Sequence, residues 1–297
     1  MLNPEKNLNP TKGIFLIIIA FVGFSLMSTF VKVCAKANLT TQEIMFFQNF
    51  VALIVILPWI FYKRKVSLLP QNTALVIGRS IVGFFSLYFY FLAIKFTPLV
   101  NATLLQSTTP IFIPFLAFFI FRKKITLRIL LIVIAGFVGI TMVLNPGNGS
   151  LNSGDLIALF SGLLSALSTV IIKILNDKNE SIKVVLLYYL VITTAIMGVW
   201  TAPTFVMPSG KLWIFLVLSG AFYAGFQLLL IFSVKYASTT VISPFIYLAV
   251  VFSGIIDWIV WKEVPHVITV VGAVIVIGAA IVSTIHHSEH KIPTHQR

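Results

Sequence analysis

Ten separate stretches of this chain are apolar enough to cross a bilayer, each near the length of about 20 residues that a hydrocarbon core demands of a spanning helix. They run at about 13–31, 44–62, 74–94, 99–121 and 125–144, then at about 156–175, 184–202, 212–234, 240–261 and 267–285. A polar Gly/Asn/Ser segment at 145–155 divides them into two matching groups of five. Lipid cannot satisfy an exposed backbone, so spans of this kind fold as helices, and the expected fold class is an all-α membrane protein with ten transmembrane helices. With 59% apolar and 10% charged residues, the chain is excluded from the soluble globular class. Short connections leave no room for a separate soluble domain. The first span lacks a small-residue cleavage pattern and is followed at once by others, so it reads as a retained helix.

The net charge of +13 would suggest nucleic acid in a soluble protein, but here the basic residues sit in the loops and report topology. With both termini inside, fifteen of the 21 Lys and Arg residues fall on the inner side and five on the outer, with Arg79 inside the third span. That bias obeys the positive-inside rule and requires an even number of spans with cytoplasmic ends. A lone Cys34 permits no internal disulfide.

Laid on the first half at an offset of about 140 residues, the second half pairs Gly13 with Gly154, Ser28 with Thr169, Lys32 with Lys173, Lys95 with Lys235 and Gly139 with Gly278. Five spans per half is odd, so the second copy is inverted. The expected organisation is 1–145 as a first five-helix repeat, 146–154 as a linker, and 155–297 as a second repeat ending in a cytoplasmic tail. Inverted repeats around a site at the membrane midplane are how many secondary transporters alternate access. A water-accessible central pocket is therefore expected.

Polar residues inside spans are the candidates for its lining, since hydrocarbon penalises them unless they face protein or a cavity. Ser25, Ser28, Thr29 and Lys32 share one face of the first span, and Ser161, Ser165, Ser168 and Thr169 one face of the sixth; helix packing by small residues is the alternative role. The amides Gln48, Asn49, Gln106 and Gln227 carry donors and acceptors that lipid leaves unmet. Tyr88, Tyr188, Tyr223 and Tyr247 can stack on a planar group and donate a hydroxyl. The substrate-binding candidates are Ser28, Lys32, Gln48, Arg79, Tyr88, Gln106, Tyr188, Gln227 and Tyr247. Arg79 stands near the inner end of its span, where its side chain can snorkel to the headgroups. Asp257, a turn from the outer end of the ninth span with Lys262 nearby, is the one candidate for ion coupling. No carboxylate occupies the middle of a span, so exchange or facilitated movement is expected over a proton relay. Glycines 136, 139, 220, 225, 254, 272 and 278 are expected at close helix approaches.

Two segments carry a family resemblance. The third and fourth spans read GRSIVGFFSLYFYFLAIKFTPLVNATLLQSTTPIFIPFLAFFIF, and the ninth runs into the tenth as SPFIYLAVVFSGIIDWIVWKEVP. Both resemble the EamA family of the drug/metabolite transporter superfamily, whose members have ten helices in two five-helix repeats. Its most specific pieces are Arg79, the turn at 93–99, Pro110, Tyr247, Glu263 and Pro265. Within the family the texture is similar to the S-adenosylmethionine carrier branch of obligate intracellular bacteria. The chain departs from that branch at Gln48, where such relatives usually carry an arginine, and at Ile246, which can also be basic.

An amide- and phenol-rich lining without a central fixed charge suits a neutral or zwitterionic metabolite, such as an amino acid or nucleoside-like compound, with Lys32 and Arg79 leaving room for a single carboxylate. The expectation is an alternating-access secondary transporter in the bacterial inner membrane. An exporter of drug-like compounds using the 27 phenylalanines, an S-adenosylmethionine-type carrier, and a membrane enzyme or assembly factor acting on lipid remain as alternatives. No catalytic set, metal site or cofactor motif occurs inside the spans, and the tail histidines His286, His287, His290 and His295 read as solvated rather than metal-binding. The expected partners are a small-molecule substrate, the lipid bilayer and, as one option, a second copy in a homodimer.

Overall fold

The computed structural model describes residues 10–62, 68–121, 127–144, 152–236 and 243–289. The basic clusters Lys63–Lys65 and Arg122–Lys124, linker residues 146–151, and His290 and His295 lie outside the described residues. The described elements are helical: α1 (Pro10–Lys36), α2 (Thr41–Phe61), α3 (Thr73–Phe96), α4 (Leu99–Gln106), α5 (Thr109–Phe121), α6 (Leu127–Leu144), α7 (Ser153–Asp177), α8 (Ile182–Thr201), α9 (Gly210–Tyr236), α10 (Leu248–Ile256) and α11 (Val267–Glu289). Among the described residues, seven helical segments are long and apolar enough to cross a membrane, α4 and α5 counting together as one. Three shorter apolar segments, Leu130–Val143, Phe245–Trp261 and Val267–Ala279, coincide with the fifth, ninth and tenth expected spans.

The connections follow local chemistry. Thr40 and Glu43 form a capping box at the start of α2: the Thr40 amide donates to Glu43 Oε2 at 2.8 Å and the Glu43 amide to Thr40 Oγ1 at 3.2 Å, satisfying amides that a helix start leaves unpaired. The other oxygen of Glu43 accepts from the Val206 amide at 2.8 Å, fixing the segment that leads into α9. Glu180 acts similarly ahead of α3, its Oε2 accepting from the amides of Gln71 and Asn72 at 2.9 Å. Just past the ends of α1 and α7, Asn38 and Asn179 adopt left-handed backbone with φ of 63° and 58°, which asparagine tolerates better than most residues.

The fourth expected span is broken. Pro110 has no amide hydrogen for the Gln106 carbonyl, the partner a continuous helix would require. The Thr109 hydroxyl takes that carbonyl instead at 3.0 Å, and Thr108 Oγ1 bonds Leu105 O at 2.6 Å. The chain turns at Ser107–Thr108 and restarts as α5. The ninth expected span is also irregular: a 3₁₀ segment, Ser243–Tyr247, leads into α10, and a π-helical turn, Asp257–Trp261, follows it.

α1 packs along α9 and α3 along α7; α2 lies against α8 and α9, and α8 also against α3. α4 packs on α7, α10 on α1, and α4 on α10. α6 and α11 form a further pair, tied to the rest chiefly through α5. Its closest approach is glycine on glycine: a Cβ on Gly139 would lie 2.9 Å from Gly272 O, and one on Gly272 would lie 2.7 Å from Gly139 O. A Cβ on Gly220 would meet Val51 Cβ at 2.5 Å and Gln48 O at 2.9 Å, so glycine sets the α2–α9 distance. Gly225 and Gly278, expected at close approaches, face open space instead, because their helices present those turns away from any neighbour. Large apolar side chains such as Phe15, Phe119, Val199, Trp258 and Val274 are exposed, as a surface bathed in lipid requires.

Candidate functional site

Among the described residues, three polar assemblies at helix interfaces contain the sequence candidates. The first starts from Tyr90 on α3, which is fully buried. Its hydroxyl meets Ser28 Oγ on α1 at 2.8 Å and Thr103 Oγ1 on α4 at 3.0 Å, and Thr103 in turn meets Ser253 Oγ on α10 at 3.2 Å. Phe24 stacks on the Tyr90 ring at 5.8 Å. These hydroxyls satisfy one another and join four elements. Tyr90→Phe removes two hydroxyl partners inside a sealed core and is expected to cost about 1–3 kcal/mol, read as a lower thermal midpoint in detergent.

The second assembly is ionic. Lys32 on α1, 2% exposed, places Nζ 2.8 Å from Asp257 Oδ1 and 2.7 Å from Glu263 Oε2. Asp257 is fully buried, and its second oxygen accepts from the Val100 amide at 2.7 Å. The Lys32 ammonium also lies 4.3 Å from the Trp261 ring centroid. The sequence paired Asp257 with Lys262, yet Lys262 stands outside the π-helical turn with φ of 58°, and the turn directs the carboxylate inward to α1 instead. Lys32 is thus held by two carboxylates of the chain itself.

The third assembly lies among α2, α3, α8 and α9. Arg79 does not run along the helix to the headgroups; its guanidinium rests 4.4 Å from the Tyr189 ring centroid on α8, a contact worth about 2 kcal/mol when desolvated. Gly83, one turn further along α3, makes space for that ring, since a Cβ there would stand 3.2 Å from Tyr189 Cε2. From Tyr189 the chain of contacts continues into α9. Tyr223 donates its hydroxyl to Tyr189 Oη at 3.1 Å, and Gln227 donates Nε2 to Tyr223 Oη at 2.9 Å. On α2, Gln48 is fully buried beside Gly220, one turn from Tyr223.

Several polar atoms here have no partner. Nε and Nη1 of Arg79, both amide atoms of Gln48 and Oδ1 of Asn49 are shielded from solvent and make no hydrogen bond; the hydroxyl of Tyr247, in the 3₁₀ segment ahead of α10, is likewise unpaired. Native interiors pair nearly all buried polar atoms, so a group of orphans marks a place where something else binds.

The remaining candidates fall elsewhere. Tyr88 stacks on Trp200 at 5.3 Å, Tyr188 packs against the cluster of Val76, Leu175 and Val185, and Gln106 closes α4 at the helix break. The neighbours Tyr90 and Tyr189, passed over in the sequence, are the buried ones; a periodicity count that kept Tyr90 in register with Leu87 and Phe91 would have found the first. The expected open pocket takes a different form. Gln48, Tyr189 and Tyr223 are at most 4% exposed, and the site is shut. An apolar recess of about 420 Å³ lies to one side, lined by residues that include Phe46, Phe47, Thr201 and Trp213.

The EamA-like transporter family model matches this chain twice, at residues 11–145 and 152–285. The chain belongs to the EamA-like transporter family. It is a multi-pass membrane transporter of the drug/metabolite superfamily, not an enzyme. It is similar to a pseudopaline exporter of Pseudomonas aeruginosa, 27% identical over 91% of this chain and 94% of the relative. It is also similar to an S-adenosylmethionine uptake transporter of Rickettsia prowazekii, 30% identical over 82% of this chain and 83% of that one. A riboflavin transporter of Brucella anthropi is 26% identical, over 83% of this chain and 88% of the relative. A crystal structure with 18% identity superposes at a TM-score of 0.60, covering 95% of this EamA-like chain and 99% of its own, and shares the fold.

Proposed function

We propose that this protein is an alternating-access secondary carrier of a small polar organic metabolite, neutral or zwitterionic, working by exchange or facilitated movement. The observation that carries this reading is the unsatisfied polar group between α2, α3, α8 and α9. A core built for stability alone would pair those atoms or replace them with apolar ones.

The reading includes ten spans in two inverted repeats, and the packing pattern favours it. When the fourth span is taken as α4 with α5 and the ninth as the segment around α10, each pairing exchanges with a counterpart: α1 on α9 with α7 on α3, α2 on α9 with α8 on α3, and α4 on α7 with α10 on α1. The double family match divides the chain in the same place. Glu43 and Glu180 extend the pattern, each fixing the segment that leads into α9 or α3. Both broken spans meet at α4 and α10, and discontinuous helices at a repeat interface are a recurrent feature of transporter binding sites. The inner membrane, with both termini cytoplasmic, follows from the charge bias of the loops.

Asp257, the coupling candidate, is neutralised by Lys32 and bonded by Val100, which supports exchange over proton coupling. In the same reading the Lys32 cluster clasps α1 to α10 and to the segment before α11, and it parts when that end opens. The relatives move chemically distinct solutes and include both an exporter and uptake transporters, so the substrate must be found by test. Purified protein in liposomes loaded with unlabelled amino acids, S-adenosylmethionine or riboflavin should accumulate the matching labelled solute by counterflow. Flux for none of these together with flux for drug-like cations would favour the exporter of amphipathic compounds, with the Phe46, Phe47 and Trp213 recess as its entry.

A further inference from the structure

We infer that the transported solute carries a carboxylate and that Arg79 receives it. This rests on the carrier reading and sharpens it to a substrate class. Two basic residues were available in the sequence for a single acidic group. The structure commits Lys32 to Asp257 and Glu263 at 2.8 and 2.7 Å, so two carboxylates of the chain already compensate its charge. Arg79 makes no ion pair among the described residues, and two of its nitrogens, Nε and Nη1, are buried and unbonded. Among the described residues, its close charge-compensating contact is the face of the Tyr189 ring. A guanidinium without a counter-charge, two of whose nitrogens are shielded from solvent, is costly, and the group that matches its donors and charge best is a carboxylate.

The orphans on α2 are of the opposite kind. Gln48 Oε1 and Asn49 Oδ1 are unmet acceptors, and they suit the N–H or O–H donors of the same solute. Asn49 spends its own donor on Met45 O at 2.8 Å, leaving the oxygen for a ligand. The tyrosines hold the arrangement in place. Tyr223 donates to Tyr189 and is itself held by Gln227, so the ring beneath the guanidinium cannot swing aside without breaking the Tyr223 hydrogen bond. The site therefore selects one carboxylate on a body rich in donors, and it disfavours an uncharged solute such as riboflavin.

The test uses purified protein in liposomes and matched pairs: the amino acids against their amides, and S-adenosylmethionine against its decarboxylated form, with riboflavin as the carboxylate-free comparison. A carried acid should outrun its carboxylate-free partner by about tenfold or more, the worth of one charge-assisted hydrogen bond. In Arg79→Gln the acid should fall to the level of its partner, while Arg79→Lys retains part of the preference. Binding read by thermal shift in detergent should lose the same preference in Arg79→Gln, with the midpoint of the ligand-free variant reporting folding separately. Equal flux of acid and amide, flux confined to riboflavin or the amides, or a preference that survives Arg79→Gln overturns the assignment and leaves the carrier standing. Absence of flux for every solute, drug-like cations included, removes both.

Discussion

Lys32→Met is expected to lower the thermal midpoint of the purified protein far more than Lys211→Met, which alters an exposed lysine. The reason is what stays behind. Asp257 is fully buried, with one oxygen on Lys32 and the other on the Val100 amide; without the ammonium, its charge has no partner in a setting water does not reach. Breaking a buried pair from one side typically costs about 3–5 kcal/mol. Methionine keeps most of the length of the side-chain stem, so lost packing contributes little, while the ammonium's contact with the Trp261 ring goes with the charge. The double variant Lys32→Met with Asp257→Asn should recover most of the loss, because asparagine removes the charge while its oxygen still accepts from Val100. Glu263, 34% exposed, can be hydrated once released. If the single and double variants lose the same amount, charge burial is not the cause.

The second large effect is expected at the α6–α11 contact. Gly139→Ala and Gly272→Ala each place a methyl group within 3 Å of the other glycine's carbonyl oxygen and of nearby backbone nitrogen. Backbone cannot rotate away as a side chain does, so the helices must separate along the contact, and overpacking of this kind costs about 1–3 kcal/mol. Gly225→Ala and Gly278→Ala face open space and should be neutral or slightly stabilising, since alanine is the better helix former by about 1 kcal/mol. Thermal unfolding of the four variants in one detergent separates the two classes. Equal losses in all four would mean that helix propensity, and not contact, dominates. Gly139 and Gly278 were matched as repeat counterparts in the sequence, but the glycine that touches Gly139 is Gly272. An alignment of halves identifies equivalent positions, not contacting ones.

The same distinction runs through the candidate site. Gln48, Arg79 and Gln227 stood out as polar groups inside spans because a polar side chain in an apolar run is conspicuous at any register. Tyr88 and Tyr188 were chosen over Tyr90 and Tyr189 because one residue changes a helix's facing by about 100°, and an apolar stretch has no polar face to set the phase. Lys32 and Asp257 were each noticed, yet 225 residues separate them, and no local pattern joins positions so distant. The break between α4 and α5 was foreshadowed by Pro110, although the span as a whole read as continuous.

What the sequence by itself determined is the solvent and the class: a lipid-embedded helical transporter. Those properties come from composition and period summed over many residues, and single errors average out. Which polar groups meet was decided only by the tertiary structure. Helix rotation and a π-helical turn bring Lys32 to Asp257 and leave two Arg79 nitrogens unmet. Such pairing depends on distances of a few ångströms between segments remote in the chain, and hydrophobic burial, being non-directional, does not specify them.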